Sequence, residues 1–506
     1  MIPVVIIAVY LLALIALGLV SHRYFRGGSA DYFVASRSLG PFVLFMAVYG
    51  TTMTAFAMVG STAESYEIGI GTFGKLASWS ALVHSACFFL VGVPLWSLGK
   101  RHGYMTQVEY FRDRFQSDAI GYLLFPVLVG LVIPYVLIGL LGAGSTVSGL
   151  TAGAFPEAFA ATGGAIPPAL TTAVIAAVVL CYIFGGGARS AAWANTFQTL
   201  VFISMGLLAF WLISSRLGGV EAASKLANPA KAVREGNMTE LQFFSYGLIP
   251  LSAAMFPHLF QNFLTARSAK TFRLLLIGHP VCLILTWLPC ILIGFWATGA
   301  LMPDTGVLVV PPGANPNAVL GLMVGKLTSP LVAGLVGAGV LAAIMSSLDS
   351  QFVSVGTMFT RDIVVHHFGA ERFSDRALVW LARGFVVAIV IITYLLTLIE
   401  TRSIFALGTW CFSGYAALFP LVIAALYWRR TTRVAALASV AATALAWCVM
   451  FSASDYGADR KFLVAGMLPV AALIVVCTVT VVGVSLFTKP PSGATLAKFF
   501  PLQSPT

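Results

Sequence analysis

Apolar residues along this chain fall in long unbroken blocks, with no alternation and no single hydrophobic helix face. Thirteen stretches of about 18 or more residues predict membrane-spanning helices. They lie at about 2–21, 41–62, 74–98, 119–150, 166–184, 191–213, 241–264, 273–299, 329–356, 377–398, 404–428, 433–452 and 462–487. Two of them are interrupted midway. FMAVYGTTMTAFAMVGST carries Gly50 and Gly60, and FFSYGLIPLSAAMFPHLF carries Gly247, Pro250 and Pro257. Backbone groups left unpaired in lipid cost several kcal/mol each, so such breaks persist only where they are buried in protein or line a water-filled cavity. A pair of broken helices in corresponding halves points to the binding site of a secondary transporter.

If each broken helix opens a five-helix unit, residues 41–213 and 241–428 form two repeats. An odd number of crossings gives them inverted topology. The helix 2–21 precedes them, 433–452 and 462–487 follow, and the polar stretch 214–240 joins the halves. Residues 1–487 then make one transporter domain. The Pro-containing segment 488–506 is expected to be a mobile cytoplasmic tail. HGYMTQVEYFRDRF at 102–115 predicts an amphipathic helix lying at the membrane interface.

A chain that is 59% hydrophobic and 9% charged is excluded from the soluble globular class. Placing the N-terminus outside and the C-terminus in the cytoplasm puts nineteen Lys and Arg residues in inner loops and nine in outer ones. Among the inner ones are Arg23, Arg26, Arg37, Lys100, Arg112 and Arg114; Arg402 and Arg460 are outer. That is the asymmetry expected in a bacterial inner membrane. The net charge of +11 therefore reads as orientation and contact with anionic membrane lipid, not as nucleic-acid binding. Seven cysteines sit in or beside apolar runs without metal-ligand spacing. GGGAR at 185–189 lacks the Lys-Ser/Thr ending of a phosphate loop. Uphill transport would then draw on an ion gradient, with no catalytic residues and no organic cofactor expected.

The most polar stretch inside a predicted span is LAAIMSSLDSQ at 341–351. Helical spacing puts Ala343, Ser346, Ser347 and Ser350 on one narrow face, with Asp349 about 60° to its side. Small residues in such a stripe permit close helix packing, and they also offer hard oxygen donors to a cation. A carboxylate costs about 3 kcal/mol at a helix centre, which marks Asp349 as a functional candidate.

Four segments, DYFVASRSLG (31–40), GGGARSAAWANTFQ (185–198), PHLFQNFLTARS (257–268) and AAIMSSLDSQ (342–351), resemble the sodium/solute symporter family. That family includes the proline, pantothenate, monocarboxylate, sialic acid and glucose symporters. The resemblance implies an all-α, LeuT-type 5+5 inverted-repeat fold working by alternating access, with a monomer sufficient for transport. It also implies a sodium ion (Na+) as coupling ion, held by the carbonyls of Gly50, Met53 and Ala343 and the hydroxyls of Ser346 and Ser347. Where many members have Asp in a W-x-D-x-x-Q pattern this chain has Asn195, and where some have Ser it has Asp349. A second ion or proton site would then fall to Asn195, Asp349 and Ser350. Asn262 stands where many relatives carry Arg.

Solute contacts are expected from the broken helices and the helices facing them, at Tyr49, Thr52, Thr54, Ser252, Met255, Phe256, Trp410 and Ser413. These residues supply hydroxyls and aromatic walls near the midplane. The expected function is sodium-coupled symport of a small organic solute such as a monocarboxylate or amino acid. Proton-coupled or uncoupled transport, and a non-transporting membrane sensor, remain open alternatives.

Overall fold

The computed structural model describes residues 1–21, 33, 35–183, 187–400 and 403–500. Arg23, Arg26, Arg402 and parts of the motifs at 31–40 and 185–198 lie outside the described residues. Among the described residues the chain is all-helical, with isolated backbone bridges only at Leu39–Ala266, Leu301–Leu308 and Val464–Met467.

The first half contains α1 (Ile2–Ser21), α2 (Pro41–Thr52), α3 (Ser61–Ile68), α4 (Gly74–His102), α5 (Gln107–Phe115), α6 (Asp118–Leu150), α7 (Pro168–Ile183) and α8 (Gly187–Arg216). The second contains α9 (Glu240–Tyr246), α10 (Pro257–Leu264), α11 (Phe272–Trp296), α12 (Val319–Leu327), α13 (Pro330–Met358), α14 (Asp375–Thr397) and α15 (Ile404–Tyr427). Then follow α16 (Arg433–Ala453), α17 (Pro469–Phe487) and α18 (Gly493–Phe499). Among the described residues, nine helices are long and apolar enough to cross a membrane, and two bent pairs and two shorter apolar helices bring the set to the thirteen predicted.

Pro at the first turn and Ser or Thr just before it start many of these helices. Ser329 accepts from Val332 N at 3.4 Å at the head of α13, and Thr432 from Ala435 N at 3.2 Å before α16. Both interrupted spans are bent, by 57° between α2 and the Phe56–Ile68 segment and by 49° between Glu240–Ala254 and α10. In the second, Pro250 opens a tight 3₁₀ stretch over Ile249–Ala254 and Pro257 begins a new helix, since neither ring can supply the amide that a continuous helix needs. The centre of the bundle is α13, buried along most of its length, which packs on α8, α1 and α6.

Three expectations are corrected. The last span starts at Pro469, not near 462, because left-handed Ala465 and Gly466 close a turn in which Val464 and Met467 pair. The segment 102–115 forms the predicted helix, capped reciprocally by Thr106 and Glu109, but it is packed inside the protein and does not lie at a free interface. Its Arg114 is fully buried and donates to Ala425 O at 2.9 Å and Trp428 O at 3.3 Å. The tail is anchored as far as Phe500: Ser492 caps α18, Phe499 is buried against Tyr110, and Lys498 pairs with Asp113 at 2.6 Å.

Candidate functional site: a cavity between two broken helices

Regular hydrogen bonding in α2 ends where Met53 N donates to Tyr49 O at 3.1 Å. Beyond the break, Ala57 N and Met58 N both donate to Thr54 O, at 3.0 and 3.2 Å, and Phe56 N donates to Thr54 Oγ1 at 3.0 Å. Among the described residues no amide beyond the break closes onto Gly50 O or Met53 O. Two buried carbonyls are thus left with lone pairs to offer, as at other helix termini and unwound membrane helices.

The first break also lies close to the serine-bearing helix. A methyl group on Gly50 would sit 2.8 Å from Ser346 Oγ on α13 and 2.2 Å from Thr199 Oγ1 on α8. Ala343, Ser346 and Ser347 are all buried. Ser347 Oγ accepts from Gln351 Nε2 at 2.8 Å, and the Tyr135 hydroxyl also interacts with it. Carbonyls and hydroxyls without a formal charge suit a hard monovalent cation that must also leave again. The residues present therefore fit sodium.

Asn195, Ser346 and Ser350 come together one helix face away. The Asn195 amide lies 2.8 Å from Ser350 Oγ. With its oxygen turned to Ser350, its nitrogen reaches Ser346 Oγ at 3.2 Å and Gln198 Oε1 at 3.3 Å. Asp349, equally buried, acts electrostatically on Tyr10 of α1.

A cavity of about 40 Å³ lies between the two breaks. The first break contributes Thr52, Thr54 and Phe56, and the second contributes Tyr246, Ile249, Pro250, Ser252 and Phe256. The facing helices add Leu76, Ser80 and His84 from α4, Tyr135 from α6, Trp287 from α11 and Phe412 from α15. Of the expected solute contacts, Thr52, Thr54, Ser252 and Phe256 line it. The Tyr49 hydroxyl is taken by Thr286 Oγ1 and by Cys282 O at 2.8 Å, away from the cavity. Met255 is buried outside the lining, its carbonyl accepting from Gln107 Nε2 at 3.2 Å. Trp410 packs on Trp447, Phe451 and Phe462, and Ser413 donates back to Thr409 O at 2.6 Å. His258 stacks between Phe256 and Tyr135. Sequence reasoning missed His84, Tyr135, Tyr246, Trp287 and Phe412. The one available signal was a polar or aromatic side chain in a span facing the breaks.

Two charged clusters lie elsewhere in the bundle. On the α3 side, buried Lys75 pairs with Glu64, and Arg460 joins Glu64 to Glu67. The Lys75 ammonium also stands 4.5 Å from the Phe405 ring and 5.4 Å from the ring of Tyr246, a cavity wall. At the far end of α13, Asp362 meets Arg112 at 3.5 Å and accepts from Thr106 Oγ1 at 3.0 Å, while Arg361 pairs with Glu109 at 2.8 Å.

Two bent spans meeting at a small cavity, with bare carbonyls at one break, define the core of a multi-pass secondary transporter. The sodium:solute symporter family model matches residues 32–442, and the chain belongs to that family. It is thus a sodium-coupled symporter. A sodium/proline symporter of Escherichia coli (strain K12) is 24% identical over 510 residues, covering 97% of this chain and 94% of the relative. One from Haemophilus influenzae (strain ATCC 51907 / DSM 11121 / KW20 / Rd) is 25% identical over 462 residues, covering 87% and 86%. In fold the chain is similar to a Na+-coupled sialic acid symporter solved in a substrate-bound outward-open state, with TM-score 0.77, 17% identity and coverage of 97% and 99%. Mhp1, a nucleobase-cation-symport-1 transporter in a closed conformation with bromovinylhydantoin bound, gives TM-score 0.54 at 13% identity, covering 92% and 97%. The architecture is the LeuT fold expected from the sequence.

Proposed function

We propose that this symporter carries a small organic solute, a monocarboxylate or amino acid, through the cavity between its two broken helices. Sodium is held beside that cavity by Gly50, Met53, Ala343, Ser346 and Ser347. The reading rests chiefly on the Gly50 and Met53 carbonyls, which have no backbone donor among the described residues, and on the close approach of Gly50 to buried Ser346. Cation binding would fix the break in α2 against α13. Because Tyr135 touches Ser347 and also lines the cavity, ion and solute would share one wall. Coupling is then the difference in ion affinity between conformational states. Asn195, Ser350 and Asp349 form a second ion or proton position beside Ser346.

In this reading residues 41–213 and 241–428 are inverted repeats that rock against each other. The Glu64–Lys75–Arg460 cluster lies at the outer end and the Asp362–Arg112 cluster at the cytoplasmic end. The N-terminus is outside, the C-terminus is cytoplasmic, anionic lipid contacts the inner loops, and the monomer is the transporting unit in a bacterial inner membrane. Curated relatives named sodium/proline symporters support a small solute. The test is uptake of labelled propionate and L-proline by proteoliposomes under an imposed sodium gradient. Uptake that follows sodium and is insensitive to an imposed pH gradient is expected; uptake that follows the pH gradient alone would overturn sodium coupling at this site.

A further inference from the structure

Polar groups without hydrogen-bond partners collect around the cavity. Trp287 and His84 both line it and are 3% and 8% exposed. Among the described residues, the indole Nε1 of Trp287 and the imidazole Nδ1 of His84 have no hydrogen-bond partner. An indole N–H can only donate, so burying it unpaired costs about 1–3 kcal/mol unless a ligand supplies the acceptor. Thr54 Oγ1 already accepts from Phe56 N at 3.0 Å, which leaves its proton to give.

His279 stands behind this group and does not compete with it. Thr52 donates its hydroxyl proton to Tyr49 O at 2.7 Å, so it must accept from His279 Nε2, 3.2 Å away. His279 is thereby held as the Nε2–H tautomer, with its ring edge-on to His84 at 5.3 Å between centroids. No Asp, Glu, Lys or Arg appears among the described residues lining the cavity. An ammonium group on the solute would find no counter-charge there, whereas a carboxylate would meet two or three donors. The small volume of about 40 Å³ favours a compact solute.

We propose that His84 and Trp287, with Thr54, recognise the carboxylate of a short monocarboxylate, and that the site discriminates against zwitterionic amino acids. This rests on the cavity being the solute site of the sodium-coupled cycle described above.

The test uses the full-length protein in proteoliposomes with an inward sodium gradient. Wild-type protein is offered labelled propionate, propionamide and L-proline; Trp287→Phe and His84→Leu are then offered propionate, with His84→Asn as the donor-keeping control. Sodium-22 binding without solute is measured for each. Expected are sodium-driven uptake of propionate in preference to both other solutes and a KM for propionate raised roughly ten- to hundredfold in Trp287→Phe and His84→Leu. His84→Asn should recover part of that loss, with sodium binding unchanged throughout. Equal or better uptake of L-proline or propionamide by the wild type overturns the proposal without needing any variant. So does an unchanged KM in Trp287→Phe. Absence of saturable sodium binding in the wild type would instead overturn the underlying reading of the sodium site.

Discussion

Replacing Gly50 by Ala tests the contact on which the sodium site depends. The added methyl would lie 2.2 Å from Thr199 Oγ1 and 2.8 Å from Ser346 Oγ, both closer than carbon and oxygen tolerate. Ala would otherwise be favoured in this helical turn by up to about 1 kcal/mol. Against that gain, Thr199 must give up its 3.2 Å bond to Met46 O and Ser346 must swing aside. Overpacking of this kind costs about 1–3 kcal/mol. Because Ser346 is one of the five expected ligands, most of that cost should appear as lost sodium affinity, about a tenfold to hundredfold rise in the sodium concentration for half-maximal binding. Thr199→Ala removes the nearer obstacle, so the Gly50→Ala/Thr199→Ala double variant should recover about 1 kcal/mol relative to additivity. Sodium-22 binding to the four proteins of this cycle, with thermal melting in detergent as a folding control, reads both effects. Wild-type sodium affinity in Gly50→Ala, or strict additivity in the double variant, would refute the argument that this close approach shapes the ion site.

Three further outcomes follow from the same contacts. Ser346→Ala and Ser347→Ala should each raise the half-saturating sodium concentration in uptake assays about ten- to hundredfold, since each deletes one ligand to a charge. Glu64→Gln strands the buried Lys75 ammonium and should lower stability by about 3–5 kcal/mol by thermal melting, while Glu64→Gln with Lys75→Met should recover most of it. Burial alone would raise the Asp113 carboxyl, but hydrogen bonds from Lys498 and Tyr104 outweigh it and hold the group below the ordinary carboxylate range. Its folded pKa is depressed, so its contribution to docking α18 is complete above the unfolded value near 4 and fades as pH falls through the lower folded one. Limited proteolysis after Lys489 should therefore speed up in Lys498→Ala at neutral pH and in the wild type only in strong acid.

The parts of this architecture carried by backbone chemistry were legible in the sequence. Pro250 and Pro257 cannot continue a helix, and the second bend falls at them, while the first falls just beyond Gly50, between Thr52 and Phe56. The serine stripe on α13 announced itself because hydroxyls and a carboxylate are conspicuous in lipid-length runs. Side-chain direction around the cavity was a different matter. Membrane helices are apolar on all sides, so the period that reveals a soluble helix's inner face is absent. Trp410 and Ser413 were placed by proximity in sequence to the midplane, yet they turn toward the flanking helix α16 and their own backbone. Tyr49 carries the right hydroxyl and uses it on α11. Trp287 read as ordinary span filler, and only the packing of α11 against the breaks reveals that its N–H has no partner. The packed α5 and anchored α18 depend on contacts between segments hundreds of residues apart, such as Arg114 with Ala425, which no local pattern encodes.

The most direct test of the central claim is sodium-22 binding to the purified wild-type protein and Ser347→Ala, with lithium and potassium as competitors. Saturable binding that lithium displaces better than potassium, and that weakens about ten- to hundredfold in Ser347→Ala, is the predicted result. Binding of equal strength in both proteins would place the ion elsewhere and contradict the site built from Gly50, Met53, Ala343, Ser346 and Ser347.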